Sequence, residues 1–204
     1  DGADLVQGGD GDDLMFGGAG NDFRMEGGNG NDRMYGNAGN DRMDGGNHDD
    51  TLSGGVGDDL LRGGKGNDWL DGGAGDDLLV GSYGKDFLRG GAGWDRFEFY
   101  ATGESRPGAA KRDVIIDFQK GSDKIDLSAI DANVWKHGNQ AFVFEGHASQ
   151  FSGLAGALIY TQHDFAGSAR DITVVSVDVN GDHRADLEIE LKGLIHLRAT
   201  DFLL

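Results

Sequence analysis

The chain has 204 residues, of which 38 are Gly, one is Pro and none is Cys, and 18 Lys and Arg against 36 Asp and Glu leave a formal charge of −18. That length allows one domain or two small ones, and its apolar runs of only a few residues, such as Val114-Ile115-Ile116, fall far short of the about 20 residues of a membrane-spanning helix. A negative balance with few basic clusters argues against a nucleic-acid partner, whose phosphates need cations to displace counterions, and makes cations the natural partners.

Residues 1–99 hold 28 of the 38 Gly and 21 of the 36 acids. Aligned on Gly pairs they fall into a nine-residue frame: GGDGDDLMF from Gly8, GGNGNDRMY from Gly27, GNAGNDRMD from Gly36, GGNHDDTLS from Gly45, GGVGDDLLR from Gly54, GGKGNDWLD from Gly63, GGAGDDLLV from Gly72, GSYGKDFLR from Gly81 and GGAGWDRFE from Gly90. The copy from Gly17 has ten residues, and the opening DGADLVQ fits as the tail of a copy already begun. The sixth place is Asp in all eleven copies: Asp4, Asp13, Asp22, Asp32, Asp41, Asp50, Asp59, Asp68, Asp77, Asp86 and Asp95. The eighth is apolar throughout, from Val6, Met15, Met25, Met34 and Met43 to Leu52, Leu61, Leu70, Leu79, Leu88 and Phe97, provided the extra residue of the long copy precedes Met25. A flexible Gly-rich chain has no reason to keep an apolar residue in phase through every copy.

Six Gly-rich residues permit left-handed backbone and make a turn, and the three that follow are the shortest strand with one side chain facing in and two out. Two nonapeptides then close one coil, copies n and n+2 stack, and the eighth-place side chains fill a thin interior. The expected fold is all-β, a parallel β-roll over 1–99 followed by a mainly β C-terminal cap over 100–204. In the cap, strands are expected at Val114–Phe118, Lys124–Leu127, Ala141–Phe144, Leu158–Thr161, Ile172–Val179 and Leu187–Leu191, the last two alternating as a hairpin joined through Asn180-Gly181.

Stacked turns set Asp beside Asp, and like charges so close repel unless a positive charge lies between them. A site of carboxylates and backbone carbonyls, six to eight oxygens in flexible geometry, suits Ca²⁺ and not the tighter octahedron of Mg²⁺. Eleven copies give nine n, n+2 pairs, hence up to nine Ca²⁺ ions. Asp178, Asn180, Asp182 and Asp186 are spaced as in EF-hand loops and form a possible extra calcium site, but His183 stands where such loops carry Gly and Arg184 falls at a ligand place, so a plain hairpin is preferred. His48 has no partner His at ligand spacing and is not taken as a transition-metal ligand. Trp69 and Phe87, with Phe16 and Tyr35, face outward; packing against the second half is the plain expectation and a sugar-stacking surface the sharper one. No H-E-x-x-H, G-x-S-x-G or phosphate-loop pattern occurs, so no catalytic residue is assigned and the chain is read as non-catalytic.

The repeat closely resembles the RTX family of secreted calcium-binding bacterial proteins, G-G-x-G-x-D-x-U-x. That resemblance implies an ion between each pair of stacked turns, held by the Asp and the second- and fourth-place carbonyls of one copy and by the Asp and the first- and third-place carbonyls of the other. Carried over, the ion between the Gly54 and Gly72 copies takes Asp59 with carbonyls of Gly55 and Gly57, and Asp77 with carbonyls of Gly72 and Ala74. The same rule names second- and fourth-place carbonyls of Gly9, Gly11, Gly18, Gly20, Gly28, Gly30, Gly39, Gly64, Gly66, Gly73 and Gly75. It also names first-place carbonyls of Gly36, Gly45, Gly54, Gly63, Gly81 and Gly90. Asn37 and Ser82 depart from Gly at the second place and His48 at the fourth, where a positive φ is expected.

DVIIDFQKGSDKIDLSAIDAN from Asp113, GNQAF from Gly138, FSGLAG from Phe151 and DVNGDHRAD from Asp178 look like the C-terminal region of serralysin-type secreted metalloproteases, a region that also follows RTX repeats in lipases and polysaccharide-acting enzymes. The final Asp201-Phe202-Leu203-Leu204 is similar to that family's terminal export motif, and a closing strand would look alike. The resemblance implies a calcium-triggered folding and type I secretion module, the C-terminal part of a larger extracellular protein of a Gram-negative bacterium. Calcium ions and the type I secretion apparatus are its implied partners, and a monomer its implied state. Two alternatives are a module binding an extracellular polysaccharide or cell surface, as in mannuronan epimerases, and the C-terminal domain of a serralysin-like metalloprotease or lipase.

Overall fold

A computed structural model describes residues 2–166 and 169–204. The repeats form β1 (Leu5–Asp10), β2 (Leu14–Ala19), β3 (Arg24–Asn29), β4 (Arg33–Ala38), β5 (Arg42–Asn47), β6 (Thr51–Val56), β7 (Leu60–Lys65), β8 (Trp69–Ala74), β9 (Leu78–Tyr83), β10 (Phe87–Ala92) and β11 (Arg96–Glu98). Odd strands pair in parallel in one sheet and even strands in another, so successive strands alternate between the two walls of a parallel β-roll. Each of the first ten strands has six residues, twice the length expected, because it continues from the seventh-place residue past the next Gly pair to the third place of the following copy. The second Gly carries the chain round at positive φ, 111° at Gly28 and 110° at Gly46, and keeps these two residues paired in the ladder. Only the fourth to sixth places are left for the corner.

Asn37 (φ 77°), Ser82 (φ 72°) and His48 (φ 79°) adopt the left-handed region at the places where Gly is replaced. The extra residue of the long copy is Phe23, which stands exposed between Asp22 and Arg24, so Met25 keeps its phase and is fully buried opposite Val6. From Met15 to Phe97 the eighth-place side chains form one apolar column. One buried Met or Leu per nonapeptide contributes about 1.5–3 kcal/mol, several-fold less than the backbone entropy lost in ordering nine residues.

The sheets do not stop where the composition changes. β12 (Asp113–Ile115) pairs in parallel with β10, setting Ile115 opposite Leu88, and β13 (Lys124–Asp126) pairs with β11, setting Ile125 opposite Phe97. Beyond them come β14 (Val143–His147), β15 (Ala157–His163), β16 (Ile172–Asp178) and β17 (Leu187–Lys192), then a 3-10 turn (Ala199–Asp201) and β18 (Phe202–Leu203). β15, β16 and β17 are an antiparallel meander whose last strand lies parallel to β12, and β14 lies parallel to β15. Leu158, Val175, Val177, Leu187, Ile189 and Leu191 join the column of the roll in one core.

The antiparallel pairing of β16 with β17 matches the expected hairpin, but its connection is not a two-residue Asn-Gly turn. It runs from Val179 to Asp186, with Gly181 and His183 at positive φ, because Asp178 and Asp186 draw the intervening N–H groups onto their own carboxylates. The terminal peptide is a closing strand: β18 pairs with β13, and the Phe202 ring packs 5.4 Å from that of Phe144.

Candidate metal centre

The corners of the coils bring the sixth-place Asp residues into two columns. From Asp22 to Asp95 none is more than 3% exposed. Along one edge the backbone N–H of Asp13 donates to Oδ1 of Asp32, Asp32 to Asp50, Asp50 to Asp68 and Asp68 to Asp86, each at 2.8 Å. Along the other, Asp4 donates to Asp22, Asp22 to Asp41, Asp41 to Asp59, Asp59 to Asp77 and Asp77 to Asp95, at 2.8–3.1 Å. The second oxygen, Oδ2, is buried without a hydrogen-bond partner in every repeat Asp from Asp13 to Asp95. A buried carboxylate oxygen left so is costly unless a cation takes it.

Backbone oxygens converge on the same places. A Cβ on Gly27 would fall 2.3 Å from Asp32 Oδ2 and 2.5 Å from the carbonyl oxygen of Gly45, two copies on. At Gly36 the corresponding oxygens are Asp41 Oδ2 and the carbonyl of Gly54, at Gly45 Asp50 Oδ2 and the carbonyl of Gly63, and at Gly72 Asp77 Oδ2 and the carbonyl of Gly90. Second- and fourth-place carbonyls point at the next coil: the oxygen of Gly55 lies 2.2 Å from a Cβ built on Gly73, and that of Gly57 2.1 Å from one built on Gly75. Asn37 and His48 still present their carbonyls to Gly55 and Gly66, so these substitutions spare the backbone donors. The third-place carbonyl of Ala74 accepts the Gly57 N–H at 2.8 Å and keeps a second lone pair.

Burial pushes the carboxyls of Asp50, Asp68, Asp77 and Asp95 up to about 7 and that of Asp59 to about 6; the backbone N–H each accepts opposes this, and neighbouring carboxylates reinforce it. Among the described residues no three His, Cys, Asp or Glu side chains converge at one point. Each gap offers two carboxylates and otherwise backbone oxygens, a donor set for a hard cation and not for a transition metal. His48 is exposed, its Nδ1 2.9 Å from the Asn47 carbonyl oxygen.

Two members of the columns lie outside the repeat frame. Asp113 Oδ1 accepts the Asp86 N–H at 2.9 Å while its Oδ2 is buried without a partner, and Asp123 Oδ1 accepts the Asp95 N–H at 3.3 Å. Burial, reinforced by Asp86, holds the Asp113 carboxyl well above the usual range. Their sequence signal is a strand-like DVI or DKI after a missing Gly pair, found by aligning Ile115 and Ile125 on the eighth place. Also unread was the fifth place, where Asp12, Asn31, Asp49 and Asn67 each accept or donate along an outer ladder of Asp and Asn side chains.

In the Val179–Asp186 loop the carboxylates are turned on their own backbone. Asp178 accepts N–H groups of Asn180, Gly181 and His183, Asp186 accepts that of Val179, and Asp182 that of Arg184. The outward aromatics pair within the ten-stranded sheet, Phe16 on Tyr35 at 5.2 Å and Trp69 on Phe87 at 6.0 Å. Phe16 and Trp69 stay 59% and 43% exposed, so the second half of the chain does not cover them as expected, because it extends the roll lengthwise and leaves the outer faces open.

The sequence profile of the family described as Peptidase M10 serralysin C terminal matches residues 6–204. The solution structure of the R3 subunit of a mannuronan C5-epimerase from Azotobacter vinelandii is similar at 29% identity and a TM-score of 0.55, covering 78% of this chain and 80% of that one. The R2 subunit of the same organism's epimerase is 22% identical with a TM-score of 0.45, over 98% of this chain and 92% of that one. Nonapeptide coils, paired Asp columns and a cap that continues both sheets thus coincide with a profile match over almost the entire length, and the chain belongs to the serralysin C-terminal family of RTX β-rolls.

Proposed function

We propose that this chain is a calcium-binding module that folds when calcium is supplied and serves type I export of a larger extracellular protein. One observation carries the reading: the columns of buried Asp oxygens without partners, facing backbone carbonyls. Bound Ca²⁺ supplies the positive charge that lets those carboxylates stay ionised where they are buried. The Asp residues hold the gaps open through their Oδ1 bonds, and the Gly residues bring carbonyls close enough to share them. In calcium-poor cytoplasm, carboxylate repulsion and a thin core favour the unfolded, exportable chain; outside, where such modules bind with Kd of about 10⁻⁴–10⁻³ M, binding adds the missing folding free energy.

Far-UV circular dichroism from chelator to about 10 mM Ca²⁺, with Mg²⁺ as control, tests this. A cooperative gain of β signal with Ca²⁺ alone is the expected result, and a β spectrum already complete in chelator refutes the folding switch. A second reading, a polysaccharide-binding surface, is favoured by the exposed rings of Trp69 and Phe16, stacked on the half-buried Phe87 and Tyr35, and by likeness to an epimerase subunit. Retardation on an acidic-polysaccharide gel at fixed calcium checks it.

A further inference from the structure

The two corner edges of the roll differ in charge. Along one, the fifth place reads Asn21, Asn40, Asp58, Asp76, Trp94; along the other it reads Asp12, Asn31, Asp49, Asn67, Lys85 and so turns basic toward the cap. There Lys85, Arg106 and Lys111 line one cleft of about 400 Å³ with Asn67, Tyr83, Gly84, Gly103 and Ala110, and no carboxylate is among the lining side chains. Six of the 18 basic residues, Arg24, Arg62, Arg89, Arg96, Arg112 and Lys192, stand beside acids. Among the described residues, none of the three cleft cations lies within ion-pair distance of a carboxylate.

The cleft is also built to hold its shape. Lys85 Nζ donates to the Ala109 carbonyl and lies 5.7 Å over the Phe87 ring. The segment bearing Arg106 and Lys111 is tied to β17: the Gly108 N–H donates to Glu188 Oε2 at 2.9 Å, and Ser105 Oγ to the Glu188 carbonyl at 2.5 Å. Three cations line one cleft without an acid among them, one carrying the planar fork that matches an oxyanion, and in a chain of charge −18 a negative group between them would offset their mutual repulsion.

We propose that this cleft binds an oxyanion group, through Lys85, Arg106 and Lys111, with the exposed Tyr83 ring beside it. A volume of about 400 Å³ exceeds a bare ion and admits a sugar-sized carrier, so the shared chemistry is an oxyanion and its source is either a free ion or a sugar acid.

Nitrogen-15 NMR of the chain in saturating Ca²⁺, titrated with sulfate and separately with galacturonate at constant ionic strength, tests the site. Saturable shifts confined to the amides of Lys85, Gly103, Arg106 and Lys111 are expected, with affinity falling at least tenfold in R106A/K111A and unchanged in K65A. Response to sulfate identifies a free-ion site; response to galacturonate alone identifies one that needs the sugar. Absence of saturable shifts with both, or wild-type affinity in a double variant whose circular dichroism shows the calcium-folded roll, overturns the proposal.

Discussion

Two regions crowd acidic side chains, the Asp columns of the roll and the Val179–Asp186 loop, and they dispose of the charge in opposite ways. In the loop, free backbone N–H groups are at hand and the carboxylates of Asp178, Asp182 and Asp186 close on them. In the roll the corner N–H groups are already committed: Gly57 to the Ala74 carbonyl, Asp58 to Asn40 Oδ1, Asp59 to Asp77 Oδ1. No donor remains for Oδ2. The two sets of carboxylates thus differ in their partners: several backbone N–H groups in the loop, and in the columns one N–H on Oδ1 with Oδ2 left without a donor.

Chelation is the strongest way to break this contrast: hydrogen-exchange protection from Leu5 to Glu98 should fall by two orders of magnitude or more (roughly 3 kcal/mol,), while the meander of β15, β16 and β17 loses much less. Equal loss in both regions would show that the cap depends on the same ions. Next in size, Gly66→Ala places a Cβ 2.0 Å from the His48 carbonyl oxygen at φ +147°, whereas Gly193→Ala at φ +93° meets nothing within 4 Å. The first should cost about 3 kcal/mol or more and the second about 1 kcal/mol, read by calcium-saturated thermal melts.

Asp68→Asn removes charge from two neighbouring gaps and should raise the calcium midpoint of folding about tenfold, about 1.4 kcal/mol; Asp182→Asn should leave it within about twofold. The remaining lever is pH. Burial raises the folded-state carboxyls of Asp50, Asp68, Asp77 and Asp95 to about 7, above their unfolded range, so the metal-free roll binds more protons than the unfolded chain. Its stability is therefore present at about pH 4 and lost as pH rises through about 7. Circular dichroism in chelator should show more β signal at the acid end, and calcium midpoints should rise as pH falls below about 7. The opposite slope would mean that the columns are not buried in the metal-free state.

Much of this is legible in the amino-acid sequence. Eleven Asp in phase and one apolar residue per copy specify coils, interior and columns together, and the buried Met25 shows that the frame survives the insertion at Phe23. Asp113 and Asp123 carry only the weaker signal of an Asp two residues before an Ile, because no Gly pair precedes them and their place depends on the long-range pairing of Val114 with Phe87 and Lys124 with Arg96. Asn180-Gly181 misled for the reverse reason. Its local preference for a tight turn is overridden by two carboxylates that gather a wider loop.

The two ends of the roll are unlike, and this gives the molecule a direction under load. At one end β1 and β2 have a neighbour on one side only, with Leu5, Leu14 and Phe16 more than half exposed; at the other, the eight-stranded sheet ends on β18 and the ten-stranded one runs on through β17, β16 and β15 to β14. Tension applied through the first residues would peel strands one at a time from that edge, each coil of two nonapeptides paying out about 60 Å of contour. Tension applied through Leu204 would instead shear β18 from β13 and then meet the meander. A single-molecule pulling record should thus be a regular staircase from one end and a single high step from the other.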